Sequence, residues 1–171
     1  MIANFVLAII LVVATVTVHF AGLLCLLWFL RERGHRFRAH ESAAGQGAAI
    51  LFVVLGLVAI YTVEVWLYAF AYLGVGALHD LESALYFSTA SYTTIGYGDL
   101  VLDKKWRLLG AIEGANGLLM FGWSTAFLIS VTGRMRALEH DWLQRSSGLL
   151  SQARAPRPDG TETLRQADIV P

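Results

Sequence analysis

Three long apolar runs divide the chain, and short polar segments separate them. The runs span residues 2–30, 48–78 and 106–132, and each exceeds the ~20 residues that an α-helix needs to cross a bilayer. Few charges interrupt them: Glu64 lies inside the second run, and the third has Arg107 at its edge and Glu113 inside. The pattern predicts three transmembrane helices.

Arginines set the predicted orientation of these helices. They follow the first and third runs directly, at Arg31, Arg33, Arg36, Arg38, Arg134 and Arg136. Under the positive-inside rule both segments are cytoplasmic, which places the N-terminus outside and residues 31–46 and 137–171 in the cytoplasm. Residues 1–30 are then a peripheral N-terminal transmembrane helix rather than a signal peptide, because the run has no basic start and is too long.

The composition agrees with a membrane protein, since 56% of the residues are hydrophobic, 15% are charged and the mean hydropathy is +0.57. Ordinary soluble domains are less apolar and more highly charged. A formal net charge of zero argues against a nucleic-acid partner. Cys25 is the only cysteine, which excludes an intrachain disulfide and a cysteine metal cluster.

The polar segment between the second and third runs begins with a short predicted helix, residues 79–92. Asp80 suits its N-cap, and Glu82 suits the positive end of its dipole. At roughly a dozen residues this helix is too short to cross a bilayer, and both of its neighbours leave it on the outer side. It must therefore enter the membrane and return. The irregular backbone after it is tolerated only where protein buries it or where it lines a water-filled path.

Directly after this helix, Gly96 and Gly98 alternate with Ile95 and Tyr97. Glycine adopts positive φ at little cost, so consecutive carbonyl groups can point to one side of an extended segment. A single chain would leave these oxygens unsatisfied, which is unfavourable. Four copies around an axis would instead form stacked oxygen rings that replace the water shell of a monovalent cation, with the Thr94 hydroxyl at the inner end.

Residues 93–99, T-T-I-G-Y-G-D, resemble the potassium-channel selectivity filter, whose usual form is T-T-V-G-Y-G-D. The order of outer helix, pore helix, filter and inner helix also resembles the pore module of that family, over residues 47–136. The expected fold is an all-α membrane protein with three transmembrane helices, a re-entrant pore helix and a selectivity-filter loop per chain, assembled as a four-fold channel. The resemblance implies a homotetramer that conducts K+ passively and selectively across the cell membrane, with no cofactor and no enzymatic activity.

The resemblance assigns K+ binding to four backbone carbonyl groups. They belong to Thr94, Ile95, Gly96 and Tyr97. Thr93, Gly98 and Asp99 complete and support the filter. The sequence departs from the family at Ala90, where many bacterial members carry a glutamate that pairs with the aspartate after the filter. Asp99 lacks that partner here, and Tyr86 is predicted to donate a hydrogen bond to it instead.

Ionisable side chains inside membrane runs are functional candidates. At ~1.5 Å per residue, Glu64 and Glu113 lie at a similar depth, near the inner half of the filter. We predict that one or both accept hydrogen bonds from hydroxyl groups of the short helix and replace the missing glutamate. The alternative is a structural carboxyl group with no part in gating. His19, about level with Ser124, is either a packing residue or a pH sensor.

Glycines crowd the third run, at Gly110, Gly114, Gly117 and Gly122. Small residues allow close helix packing, and the inner helix of the potassium-channel family also bends at a glycine well past the filter. Gly117 matches that position best, with Gly114 and Gly122 as alternatives. Phe121 and Thr125, one and two turns further on, are then candidate gate residues.

The C-terminal tail is predicted to be a short helix followed by disorder. Met135, Leu138 and Trp142 form an apolar stripe that continues the third run or lies at the membrane interface. From residue 146 onward the chain is polar and contains prolines, a composition typical of disorder.

Three other functions stay open on the sequence. One is a weakly selective cation channel, although related weakly selective filters carry aspartate at the position of Tyr97, and another is a non-conducting channel subunit. The segment from Gly96 to Asp99 also satisfies the G-x-G-D pattern of intramembrane aspartyl proteases. Such a protease needs a second catalytic aspartate, usually in a Tyr-Asp pair, and the sequence has neither that pair nor an aspartate inside an apolar run.

Overall fold

The computed structural model describes the backbone of residues 2–34 and 43–154 and the side chains of residues 4–32 and 45–133. In these parts the chain forms four α-helices and no β-strand: α1 (Ile2–Gly34), α2 (Ala43–Gly74), α3 (Leu81–Tyr92) and α4 (Arg107–Arg154). Arg36 and Arg38 of the predicted basic loop lie outside the described residues.

Three of the helices contain segments long and apolar enough to cross a membrane. These segments are Asn4–Glu32, Gly45–Gly74 and Arg107–Gly133. The prediction of three transmembrane helices is therefore confirmed, and the chain is a multi-pass membrane protein. With 12 residues, α3 is too short to cross.

The first helix runs antiparallel to α2 and in the same direction as α4. Its contacts with α4 and with the turn that precedes α4 advance together along the chain, in the pairs Asn4–Lys105, Thr15–Asn116 and His19–Ser124. Its contacts with α2 run in opposite directions, because His19 meets Glu64 whereas Leu26 meets Gly56. Three successive membrane crossings require this alternation.

The connection between α2 and α3 is fixed by capping. Gly76, with φ of +67°, ends α2 in a Schellman motif, in which the N–H of Ala77 donates to the carbonyl of Tyr72 at 2.9 Å. Asp80 then caps α3 as predicted, because its carboxylate accepts the N–H of Ser83 at 2.7 Å. These two caps determine where α3 begins relative to the C-terminal end of α2.

The inner face of α3 packs into an aromatic core. Ala84, Ser88 and Tyr92 form this face at four-residue spacing and are fully buried. The ring of Tyr92 packs among those of Tyr61, Tyr68 and Phe121. Because a buried tyrosine hydroxyl needs a hydrogen-bond partner, this core must also contain polar groups.

The predicted disorder from residue 146 onward is wrong for its first part, because α4 is continuous to Arg154. That part contains the strong helix formers Leu149, Leu150, Ala153 and Arg154. The helix ends two residues before Pro156, which disfavours helical backbone in the residue preceding it. Residues 155–171 lie outside the described residues. The chain divides into two compact units, residues 1–133 and 134–171, and the described part of the second is the end of α4.

Candidate functional site

The filter segment, residues 93–98, follows α3 directly, and the sign of φ alternates along its backbone from residue 94 to residue 98. The left-handed positions are Thr94, Gly96 and Gly98, with φ of +60°, +53° and +78°, and the two residues between them keep the ordinary sign of φ. A backbone that alternates in this way can turn successive N–H groups to one side and leave the carbonyl groups on the other. The sequence predicts positive φ at the glycines but not at Thr94, since a β-branched residue rarely adopts it.

The amide groups of the filter segment bond back to α3. The N–H of Thr94 donates to the carbonyl of Ser91, and the N–H of Gly96 donates to the carbonyl of Ala90, both at 3.0 Å. Within the described part of the chain, no hydrogen bond reaches the carbonyl oxygens of residues 94–97. These oxygens are therefore available to a ligand outside the chain.

Two large side chains of the filter segment do not pack into their own chain. Ile95 is 55% exposed and Tyr97 is 72% exposed. Apolar side chains grouped on one surface in this way mark a contact with another surface. Most of the Tyr97 side chain is thus left uncovered by its own chain.

The residue after the filter segment, Asp99, is tied to α3 by a side-chain hydrogen bond. The Tyr86 hydroxyl donates to Oδ2 of Asp99 at 2.7 Å. This bond holds the pKa of Asp99 below its usual range and raises the pKa of Tyr86. Both residues line a cavity of about 210 Å³ behind the filter segment, together with Ala90. Their role in supporting the filter stays a prediction.

Glu113 joins three helices at the middle of α3. It is fully buried, its Oε1 accepts from the Ser88 hydroxyl at 2.5 Å, and its Oε2 accepts from the Tyr72 hydroxyl at 2.5 Å. Each carboxylate oxygen therefore has a donor, as a carboxyl group inside a membrane requires. The contacts connect α4 to α3 and α2.

Glu64 occupies the corresponding position one turn further along α3. It is fully buried, and its Oε2 accepts from the hydroxyl of Tyr92 at 2.6 Å. Its Oε1 lies 3.0 Å from Nδ1 of His19 in α1. The structure thus places both membrane carboxylates against hydroxyl groups of α3, where the sequence predicts them.

The link from α1 to Glu64 is a contact that the sequence analysis missed. The available signal was that His19 is the only basic residue in the first run and Glu64 the only acidic residue in the second. Two such residues in adjacent antiparallel helices are expected to pair, because an unpaired polar group at that depth is unfavourable. The sequence also predicts that His19 lies level with Ser124. The structure agrees, because Nε2 of His19 lies 3.2 Å from the Ser124 hydroxyl.

The three gate or hinge candidates in α4 differ in their surroundings. Gly117 is buried against the backbone of Tyr92, so closely that a Cβ added there would overlap the Tyr92 carbonyl oxygen. Phe121 is half-buried, 4.5 Å from the ring of Tyr61. Thr125 is exposed, and its hydroxyl donates to the carbonyl of Phe121 in the same helix.

Residues 48–134, just over half of the 171 in the chain, match the family model described as "Ion channel". The chain belongs to this ion channel family. The matched region contains most of α2, all of α3, the filter segment and the membrane-spanning part of α4. The first helix of the channel lies outside it. No curated protein and no solved structure matches the channel.

Replacing Tyr86 with phenylalanine in this channel is expected to raise the pKa of Asp99 toward its ordinary value, because the carboxylate loses its donor. A lowered pKa means that the bond contributes to stability above the ordinary aspartate pKa of about 3.9, and that this contribution is lost as the pH falls through the lowered pKa. Carbon NMR titration of labelled aspartate side chains measures the change, with Asp99→Asn to assign the signal.

Asp80 serves as an internal control in the same titration. Its pKa is also lowered, but by hydrogen bonds from Ser83. The pKa of Asp80 should therefore be the same in the unaltered channel and in Tyr86→Phe. An unchanged pKa of Asp99 in the phenylalanine variant would show that the bond is not formed in the assembled channel.

Proposed function

We propose that the channel conducts K+ passively and selectively as a homotetramer. The ions would pass along the backbone carbonyl groups of Thr94, Ile95, Gly96 and Tyr97. The observation that carries this proposal is the alternating backbone of the filter segment, in which the N–H groups of Thr94 and Gly96 bond to α3. Stacked rings of carbonyl oxygens can replace the hydration shell of K+. Tyr97 favours selectivity, since the related weakly selective filters carry aspartate there.

Assembly around an axis follows from the number of oxygens. One chain supplies one carbonyl oxygen at each level, so a complete coordination shell needs several copies, and the resemblance to potassium channels implies four. The exposed Ile95 and Tyr97 support this arrangement. So does the unpartnered apolar face of α4, which includes Leu118, Leu119 and Ile129.

The electrostatics of α3 suit a cation. Its C-terminus at Tyr92 lies at the inner end of the filter segment, and the negative pole of its dipole favours positive charge there. We assign filter support to the side chains and backbone around this segment, namely Thr93, Gly98, Asp99, Tyr86, Glu64 and Glu113. The exposed face of α4, including Thr125, would line the inner pathway.

The proposed orientation places the channel in the cell membrane with its N-terminus outside and its C-terminus in the cytoplasm. The arginines after the first and third runs support it. The parallel directions of α1 and α4 agree with it, because both would then start on the outer side.

An ion-release assay on proteoliposomes tests the proposal. Vesicles loaded with KCl are diluted into a K+-free medium with a proton ionophore, and a potassium-sensitive dye reports release. A matched set loaded with NaCl is followed with a sodium-sensitive dye. The channel should release K+ and retain Na+. Equal release of both ions would contradict selectivity, and retention of both would contradict conduction.

A further inference from the structure

The first helix lies outside the matched family region, yet a chain of hydrogen bonds connects it to the inner end of the filter segment. His19 of α1 bonds to Glu64 of α2, and the other oxygen of Glu64 accepts from Tyr92 of α3. All three side chains are fully buried. Resting on the proposed function, we propose that His19 is a positioning residue for the filter, and that this is a role of α1.

The donors to Glu64 follow from the chemistry of a carboxylate. A carboxylate only accepts, so Tyr92 and Nδ1 of His19 are both donors to Glu64. The other ring nitrogen, Nε2, lies 3.2 Å from the hydroxyl of Ser124 in α4. Without the Nδ1 donor, one oxygen of Glu64 would lose its partner inside the membrane, and the carboxylate would rotate or shift to satisfy it.

Tyr92 is well placed to transmit such a shift. It immediately precedes Thr93, the first residue of the filter segment, and its backbone carbonyl packs against Gly117 of α4. Its hydroxyl is held at the far end of the ring by Glu64. Displacing that hydroxyl would therefore move the point from which the filter segment starts, and with it the spacing of the carbonyl oxygens.

A second buried contact of α1 can serve as a control that tests packing without the bond to Glu64. Thr15 is also a fully buried polar residue of α1, and it accepts a hydrogen bond from Asn116 of α4 at 2.8 Å. Thr15 makes no hydrogen bond to Glu64 or to α3 among the described residues. Its loss should weaken the docking of α1 without displacing Tyr92.

Four variants of the full-length channel test the role of His19. Asparagine places an amide donor near the position of Nδ1, whereas glutamine places one near Nε2, so His19→Asn keeps the bond to Glu64 and His19→Gln does not. Thr15→Val is the packing control. Tyr92→Phe removes the other donor to Glu64 and keeps the ring, so it should have the same effect as His19→Gln. It tests the same hydrogen-bond series if His19→Gln does not fold.

The measurement is thermal denaturation in detergent, followed by tryptophan fluorescence, in increasing KCl or NaCl. The unaltered channel should be stabilised more by K+ than by Na+, because a ligand that binds the folded state stabilises it. The K+ concentration for half-maximal stabilisation should rise about tenfold in His19→Gln and Tyr92→Phe, and should stay unchanged in His19→Asn. Thr15→Val should denature earlier in both salts at an unchanged K+ midpoint.

The outcomes separate this inference from the proposed function. Equal stabilisation of the unaltered channel by both salts would contradict selective K+ binding itself. A K+ midpoint in His19→Gln or Tyr92→Phe equal to that of the unaltered channel would contradict only the positioning role, as would a shifted midpoint in Thr15→Val.

Discussion

Replacing Gly96 with alanine is expected to abolish K+ conduction while the helices still form and assemble. Gly96 has φ of +53°, where an L-residue is disfavoured by about 1–2 kcal/mol. An added Cβ meets nothing within 4 Å in the chain, so the effect comes from the backbone and not from a collision. We expect the alanine to relieve the strain by rotating its peptide planes, which would turn carbonyl oxygens away from the proposed ion path.

Gly76→Ala is the matched control for this change. Gly76 has φ of +67° and also has no neighbour within 4 Å, but it lies in the connection between α2 and α3. Both variants carry a similar backbone strain, whereas only Gly96→Ala should lose K+ release from proteoliposomes. Circular dichroism and size-exclusion chromatography verify folding and assembly. Full conduction by Gly96→Ala would show that the left-handed conformation at this position is not needed.

Replacing Gly117 with alanine is expected to lower the thermal stability of the channel and to impair the filter. The added Cβ would overlap the carbonyl oxygen of Tyr92. This neighbour is backbone and cannot rotate away, so α4 or the end of α3 must shift, at a cost of about 1–3 kcal/mol in each chain. Denaturation midpoints measured in detergent give the loss, and the K+ dependence of the midpoint reports on the filter.

Gly122→Ala provides the comparison on the same helix. No atom of the chain lies within 4 Å of a Cβ at this position, and alanine favours a helix over glycine by about 1 kcal/mol. This variant should denature at the same or a higher temperature than the unaltered channel. If Gly117→Ala matched it in stability and altered only opening, Gly117 would act as a hinge and not as a packing position.

Features that depend on local chemistry could be predicted from the sequence. The three membrane spans follow from run length, and the cap at Asp80 follows from side-chain type. Positive φ at Gly96 and Gly98 follows from the alternation of glycine with larger residues. The depth of Glu64 could be predicted because a helix rises by a fixed amount per residue.

Features that depend on which surfaces meet could not be predicted in this way. The bond between His19 and Glu64 requires that α1 packs beside α2 with a particular rotation. The contact of Gly117 with Tyr92 depends on how closely α3 and α4 approach. The left-handed backbone at Thr94 opposes its own preference, and is held by a hydrogen bond from its N–H to the carbonyl of Ser91.

The reversal potential of the unaltered channel in a gradient of K+ against Na+ tests the central claim most directly. The purified protein is reconstituted into a planar bilayer with KCl on one side and NaCl at the same concentration on the other. The structure and the filter sequence predict a reversal potential strongly displaced from zero, in the direction set by K+ permeation. Currents that reverse near zero would contradict a potassium-selective channel.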